Sequence, residues 1–451
     1  MKLTIMKKNI LYTLCAIILI GGLNSCEDIL VLEPAQSLSN ETALDNDLGV
    51  KQTLVGAYDR MAQSSLLGGD VIMNADLYSG AGEFEWVGTY VDYREIFTHD
   101  ILVNNGSVSS LWDDAYEVIN TCNNVINAID VVEAADQDRV RGEALTLRAW
   151  CYFELVRAFG YQYQPGVENT QLGVPLILTP TLNFGDNTNV TRNTVEECYG
   201  QIIGDLEQAA TLLPEKNDVY VNTYTASALL ARVYLQKEDY ENARDAADRV
   251  IASNDYELMS NVADVFNQDD ATDEDVFSVE ISTTDGNNSL NNYYATNDFG
   301  GRGDIEIQDA HMALYDPLDA RATLFFIDGG IRFTSKFNNE FGNISAIRIA
   351  EMYLIRAECN QRLGTSVGAT PEDDYNAIHT RAGLPAAASV SLDDILYERH
   401  LELCFEGQAI HDIKRLHGMV GTLNYNDPKL IYPIPQTEID RNALLVQNDG
   451  Y

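Results

Sequence analysis

Asn74, Asp76, Tyr78, Trp86, Tyr90 and Tyr93 fall within one Gly-rich stretch, where Trp86 stands among Gly80, Gly82 and Gly88 rather than on an amphipathic stripe. A second stretch holds Tyr293, Tyr294, Asn297, Phe299, Arg302 and Asp304. Aromatic faces beside amide, carboxylate and guanidinium groups are what a neutral sugar ring requires. Its C–H face is apolar and its hydroxyl edge is polar. These residues are the expected ligand contacts. Trp112 and Trp150 lie in helical patterns instead and are expected in the core.

Other chemistries find less support. Glu83 and Glu85 share the stretch with Trp86, and two carboxylates across a sugar cleft can hydrolyse a glycoside. In a chain with 69 acidic residues, however, close acid pairs arise everywhere by chance, so no enzyme is expected. His400, Cys404, His411 and His417 lack metal-motif spacing, and neither HExxH nor CxxC occurs. No Gly-rich phosphate cradle precedes a helix, and the triplet Arg302-Gly303-Asp304 is too short to carry weight. The expectation is therefore no cofactor and no metal. The acidic run from Gln268 to Asp275 reads as a solvated loop before a strand rather than a calcium site.

With 29 basic against 69 acidic residues the net charge is −40. Such a chain repels phosphate backbones, so nucleic acid is a poor partner, and acidic polysaccharides are disfavoured. Lys2, Lys7 and Lys8 precede the apolar run Ile10 to Gly22, which ends in Leu23-Asn24-Ser25-Cys26. The run falls short of the ~18–20 residues a spanning helix needs, so residues 1–25 read as a secretory signal peptide. Leu-x-Ser-Cys resembles the lipobox of bacterial lipoproteins, which implies acylation at Cys26 and a lipid-anchored N-terminal segment over 26–50. At roughly 0.8 kcal/mol per buried CH₂, several acyl chains hold firmly where one would not. Of seven cysteines, Cys15 leaves with the leader and Cys26 carries lipid. The remaining five (Cys122, Cys151, Cys198, Cys359 and Cys404) are odd in number and lie in helical patterns, so they are expected as buried free thiols.

The elements that must hold the two stretches are helices. Leu111, Ala115, Val118, Cys122, Val125 and Ile129 recur at steps of four and three, as do Leu145, Ala149, Tyr152, Val156 and Phe159. The same rhythm runs through 195–213, 225–253, 347–363 and 392–405. Ala231 and Ala243 are small residues that let two antiparallel helices approach, with Tyr234 filling the gap; this is tetratricopeptide logic. Ala350, Tyr353 and Ala357 with Tyr375 and Ala377 read as a second copy, and 145–159 with 195–212 as a third, split by an insertion. The expected fold is mostly α: a tetratricopeptide-like superhelix of helical hairpins over 51–451. Irregular insertions at about 66–105 and 266–342 interrupt it, with a few short strands such as 276–281 and 331–337. Loops of that length are seldom idle.

Several blocks together resemble the SusD/RagB family of nutrient-uptake outer-membrane lipoproteins. Ile29 to Pro34 reads ILVLEP. Glu143 to Gly160 reads EALTLRAWCYFELVRAFG, similar to the family's "EA…LRA…YF.LV..FG". Arg348 to Glu358 reads RIAEMYLIRAE, and Asn376 to Leu384 reads NAIHTRAGL. Glu398 to Arg415, ERHLELCFEGQAIHDIKR, resembles "ER..EL.FEG.R..DLKR", departing from it at Gln408 and near His411. The chain ends LIYPIPQTEIDRNALLVQNDGY, similar to the family's closing "PIP..EI..N..L.QN.GY". The resemblance implies tetratricopeptide hairpins, surface exposure through a lipid anchor, and a SusC-like TonB-dependent transporter as partner. Glu27 and Asp28, directly after Cys26, fit the family's export to the cell surface. The implied cargo is an oligosaccharide, with peptide as the alternative, and the ligand contacts come from the two insertions.

Overall fold

The structure is a computed structural model describing residues 43–80, 82–181, 189–281 and 286–451. The leader, Cys26 and the segment 29–34 lie outside the described residues. The first helices are α1 (Asp47–Met61) and α2 (Asp70–Ser79), followed by strand β1 (Phe84–Trp86) and α3 (Val91–Thr98). The longer α4 (Gly106–Asn127) and α5 (Gln137–Phe159) come next, then α6 (Val195–Leu212), α7 (Thr223–Gln236) and α8 (Tyr240–Ala252).

Short elements take over after α8. They are β2 (Asp275–Val279), α9 (Ser289–Tyr294), β3 (Ile305–Ile307), α10 (Asp309–Met312), β4 (Phe325–Asp328), β5 (Ile331–Thr334) and β6 (Ile344–Arg348). Helices return with α11 (Ile349–Leu363), α12 (Pro371–Arg381), α13 (Leu392–Glu402) and α14 (Ala409–Arg415), and a two-residue hairpin leads to α15 (Gln436–Arg441).

The helical hairpins form as their stripes require. Helix α1 packs on α4, α5 on α6, α7 on α8 and α11 on α12, while α4·α5, α6·α7 and α8·α11 join each hairpin to the next. The tetratricopeptide superhelix expected from sequence is thus present, with four hairpins rather than three. The fourth, α1 with α4, is interrupted by residues 62–105. Starts are fixed by side chains that accept otherwise orphaned N–H groups: Asn105 for α4, Thr194 for α6, Asn222 for α7, Thr370 for α12 and Ser391 for α13. Ala231 and Ala243 are fully buried, as close helix approach demands. The segment 392–405 is helical only to Glu402, because Phe405 turns back with φ of 61°.

The first insertion is more ordered than its composition suggests. It contains α2 and α3, and α2 is buried along nearly its whole length although it carries Asp70, Asn74 and Asp76. The second insertion supplies three two-stranded sheets or parts of them: β1 pairs antiparallel with β3, β2 with β6 and β4 with β5. In the first, Phe84 faces Ile307, Glu85 faces Glu306 and Trp86 faces Ile305. The two insertions are therefore joined by backbone hydrogen bonds.

The family-like block ERHLELCFEG is a buried ionic frame. Arg348 donates to Glu274, to Glu402 at 3.0 Å and to Glu406 at 2.8 Å, and Lys336 donates to Glu406 at 2.8 Å. Arg321 meets Glu398 at 2.8 Å, and Arg399 meets Asp412 at 2.8 Å. The contacts through Glu274, Arg321 and Lys336 fasten the second insertion to the superhelix. At the other end, Asn448 donates to the carbonyls of Phe159 and Tyr432, and Arg192 donates to Asn448 Oδ1 at 2.8 Å, strapping the C-terminal segment down.

All five described cysteines are free and buried. Among the described residues no helix is long and apolar enough to cross a membrane.

Candidate functional site

Strand β1 alternates burial in, out, in, so Phe84 and Trp86 face the core and Glu85 faces solvent. The chain then passes directly over the indole at Gly88. A β-carbon there would lie 2.5 Å from Trp86 Cζ2 and 2.7 Å from Asp304 Cγ, which explains the glycine. Beyond it Tyr90 emerges, followed by α3 carrying Tyr93. Helix α9, opened by Asn288 side-chain acceptance, carries Tyr293 on the facing side.

Rings from both insertions meet here. Tyr93 packs edge-on against Trp86 at 5.4 Å and against Tyr293 at 5.0 Å, and Tyr90 packs edge-on against Tyr93 and Tyr293. The Arg302 guanidinium sits 4.8 Å from the Tyr90 ring centroid and donates to Asp304 at 2.7 Å and to Thr89 Oγ1 at 3.2 Å. Tyr90 is 46% exposed, whereas Trp86 is only 6% exposed. The patch thus has an outer layer, Tyr90 and Arg302, on a floor of Trp86, Tyr93 and Tyr293.

A hydrogen-bond relay runs inward from the floor. Tyr293 Oη donates to Tyr93 Oη, Tyr93 Oη donates to Asp70 at 3.1 Å, Ser107 donates to Asp70 at 3.2 Å, and Asn74 Nδ2 donates to Ser107 at 2.8 Å. Burial pushes Asp70 up to about 6, and the same burial raises Tyr93 and Tyr293.

Four residues expected at the ligand are framework in the structure. Asn74 ends the relay in the interior. Tyr78 donates to the Lys429 carbonyl at 2.6 Å. Tyr294 is fully buried and donates to Asp76 at 2.8 Å, and Asp76 also accepts from the Gly407 N–H. Burial pushes Asp76 up to about 8. All four are buried, so none of them offers a group to solvent. Trp86 is likewise a buried anchor for its loop rather than an open platform. Asn297 is exposed on the 3-10 turn Asn297–Phe299, where Phe299 packs edge-on against Phe326 rather than against the Tyr90 cluster.

Sequence reading missed the surroundings of Glu83. Its carboxylate accepts from His311 Nδ1 at 2.7 Å and from His400 Nε2 at 3.0 Å. Against the upward push of burial, those two hydrogen bonds bring Glu83 down to about 2. A glycosidic general acid needs the opposite shift. Glu85 lies on the exposed side of β1.

Comparison with known proteins follows the same lines. Residues 31–235 match a family model described as SusD-like, starch-binding associating with outer membrane, and residues 319–429 match the model of the SusD family. A SusD-like protein of Formosa agariphila is 31% identical over 56% of this chain and 48% of its own length, so that match spans about half of the relative. A second from the same organism is 24% identical over 98% of this chain and 99% of its own. Among solved structures, a SusD superfamily protein of Bacteroides thetaiotaomicron superposes with a TM-score of 0.78 at 25% identity, covering 91% of this chain and 100% of that one. Another, from Bacteroides vulgatus, superposes with a TM-score of 0.80 at 27% identity, covering 90% and 99%.

Proposed function

The chain belongs to the SusD/RagB family, and from that premise we propose that it is a non-catalytic surface lipoprotein that captures a neutral oligosaccharide and passes it to a SusC-like TonB-dependent transporter. The carrying observation is the meeting of two insertions in one aromatic patch whose outermost ring, Tyr90, is half exposed. Sugar C–H faces stack on such a ring, and Thr89 and Arg302 stand beside it for hydroxyl groups. Arg302 is already paired with Asp304, so the patch presents little net charge and favours an uncharged cargo over an acidic peptide.

Anchoring through an acylated Cys26 belongs to the same reading, as does the absence of hydrolysis. The lowered Glu83 and the outward Glu85 support the latter.

Calorimetry against a panel of neutral glycans and of peptides tests the proposal. Tyr90→Ala is expected to weaken glycan binding by about tenfold, ~1.4 kcal/mol, with little dependence on salt. Binding of peptides alone, abolished by Arg302→Ala, would establish the peptide alternative. Products released from a bound glycan by the pure protein would show an enzyme.

A further inference from the structure

Glu83, His311 and His400 come from three separate elements: the turn before β1, helix α10 and helix α13. Their donor atoms all lie within 4.8 Å of one another, and among the described residues no other group of three His, Cys, Asp or Glu side chains converges in this way. Glu83 Oε2 stands 2.7 Å from His311 Nδ1, and Glu83 Oε1 stands 3.0 Å from His400 Nε2. Elsewhere His379 meets Glu398 at 2.9 Å as a simple imidazole–carboxylate pair. Here two imidazoles converge on one carboxylate.

We propose that Glu83, His311 and His400 form a binding site for a divalent late first-row transition ion, Zn²⁺ in particular. Two imidazole nitrogens and one carboxylate oxygen make a three-protein-ligand zinc set that leaves a fourth position for water. Nitrogen donors select against Ca²⁺ and Mg²⁺, which take oxygen. With zinc bonds of about 2.0–2.2 Å in tetrahedral array, donor atoms stand about 3.4 Å apart, so Glu83 Oε2, now 2.7 Å from His311 Nδ1 and 3.1 Å from His400 Nε2, would draw back from the two nitrogens by about 0.7 and about 0.3 Å to admit the ion.

The surroundings support the assignment. His311 Nε2 lies 3.2 Å from the Tyr315 hydroxyl, which in turn lies 3.4 Å from Cys404 Sγ. With an ion bound, Nε2–H donating to Tyr315, with the Tyr315 proton directed to sulfur, would free the Nδ1 lone pair for the metal in place of the proton that Nδ1 shares with Glu83 in the empty site. Such outer partners fix the tautomer and orientation of ligating histidines. His311 is fully buried, whereas the side chains of Glu83 and His400 are each 33% exposed, which gives the ion an entry path. The bound ion would tie the start of β1 to α10 and α13. The site stands on donor geometry and is independent of the cargo.

The test uses tag-free, chelator-treated protein and the metal alone. Titration with Zn²⁺ is expected to give a single bound ion per chain and a raised unfolding temperature, with no response to Ca²⁺ or Mg²⁺. Co²⁺ is expected to give the visible absorption of a four- or five-coordinate site. His400→Ala, at a partly exposed position, is expected to lose both signals while its circular dichroism stays that of the parent. Tyr315→Phe is expected to weaken affinity by about 10–100-fold, as lost second-layer partners do. Absence of Zn²⁺ binding, or binding that survives both His400→Ala and Glu83→Gln, overturns the proposal and leaves the cluster a hydrogen-bonded ion pair.

Discussion

At the scale of single residues, burial decides what each polar group can do. Asp76 is enclosed and accepts from Tyr294 and from the Gly407 N–H, near Cys404 and Lys336. Burial holds its pKa at about 8 and that of Asp70 at about 6. In the folded chain these carboxyls keep protons that the unfolded chain releases above about pH 4. They therefore weaken stability progressively as pH climbs from about 4 to about 8. Asp76→Asn keeps an acceptor oxygen for the Gly407 N–H, turns the Tyr294 contact round so that Nδ2 donates to the hydroxyl, and removes the titration. Denaturant unfolding at about pH 5 and about pH 8 is expected to show the variant gaining on the parent as pH rises, by on the order of 1–3 kcal/mol. None of this was legible in the sequence. An acid and an amide in a Gly-rich stretch read as solvent-facing, and only the packing of α2 shows them turned inward. The Glu83 cluster was hidden for another reason: its members are separated by 228 and 317 positions, so no local spacing signals them.

At the scale of elements, the helices were legible because each long stripe of apolar residues needs a partner, and the pairing of α7 with α8 follows from Ala231 and Ala243. The short strands were only half legible, since β1 and β3 have three residues each and too little period to read. Their junction with the superhelix depends on the ionic frame around Arg348. Removing one partner of a buried ion network strands the others. Arg348→Ala leaves Glu274, Glu402 and Glu406 undercompensated and is expected to destabilise by about 3–5 kcal/mol, read as a lower denaturant midpoint. The exposed pair of Lys429 with Asp100 is expected to contribute little by comparison, because solvent screens it. The motif blocks of the sequence are thus largely structural: their charges face inward and hold elements together rather than meeting a ligand.

At the scale of the whole molecule, residues from Leu44 onward form one compact unit, and all five described thiols lie inside it. Against the upward push of burial, Lys336 and His311 lower the Cys404 thiol, yet burial still seals it from reagents. An alkylating reagent is expected to leave Cys122, Cys151, Cys198, Cys359 and Cys404 unmodified in the native protein. All five are expected to become reactive together across the unfolding transition, followed by mass spectrometry of each cysteine; a thiol that reacts earlier would mark a local opening. The antiparallel ribbon of β1 and β3 has a different reach. It is sewn by main-chain groups, so the join is indifferent to which side chains it displays, and Glu85 opposite Glu306 on its outer side bears none of the stitching. Outward side chains along this seam can therefore be exchanged while the chassis beneath stays untouched.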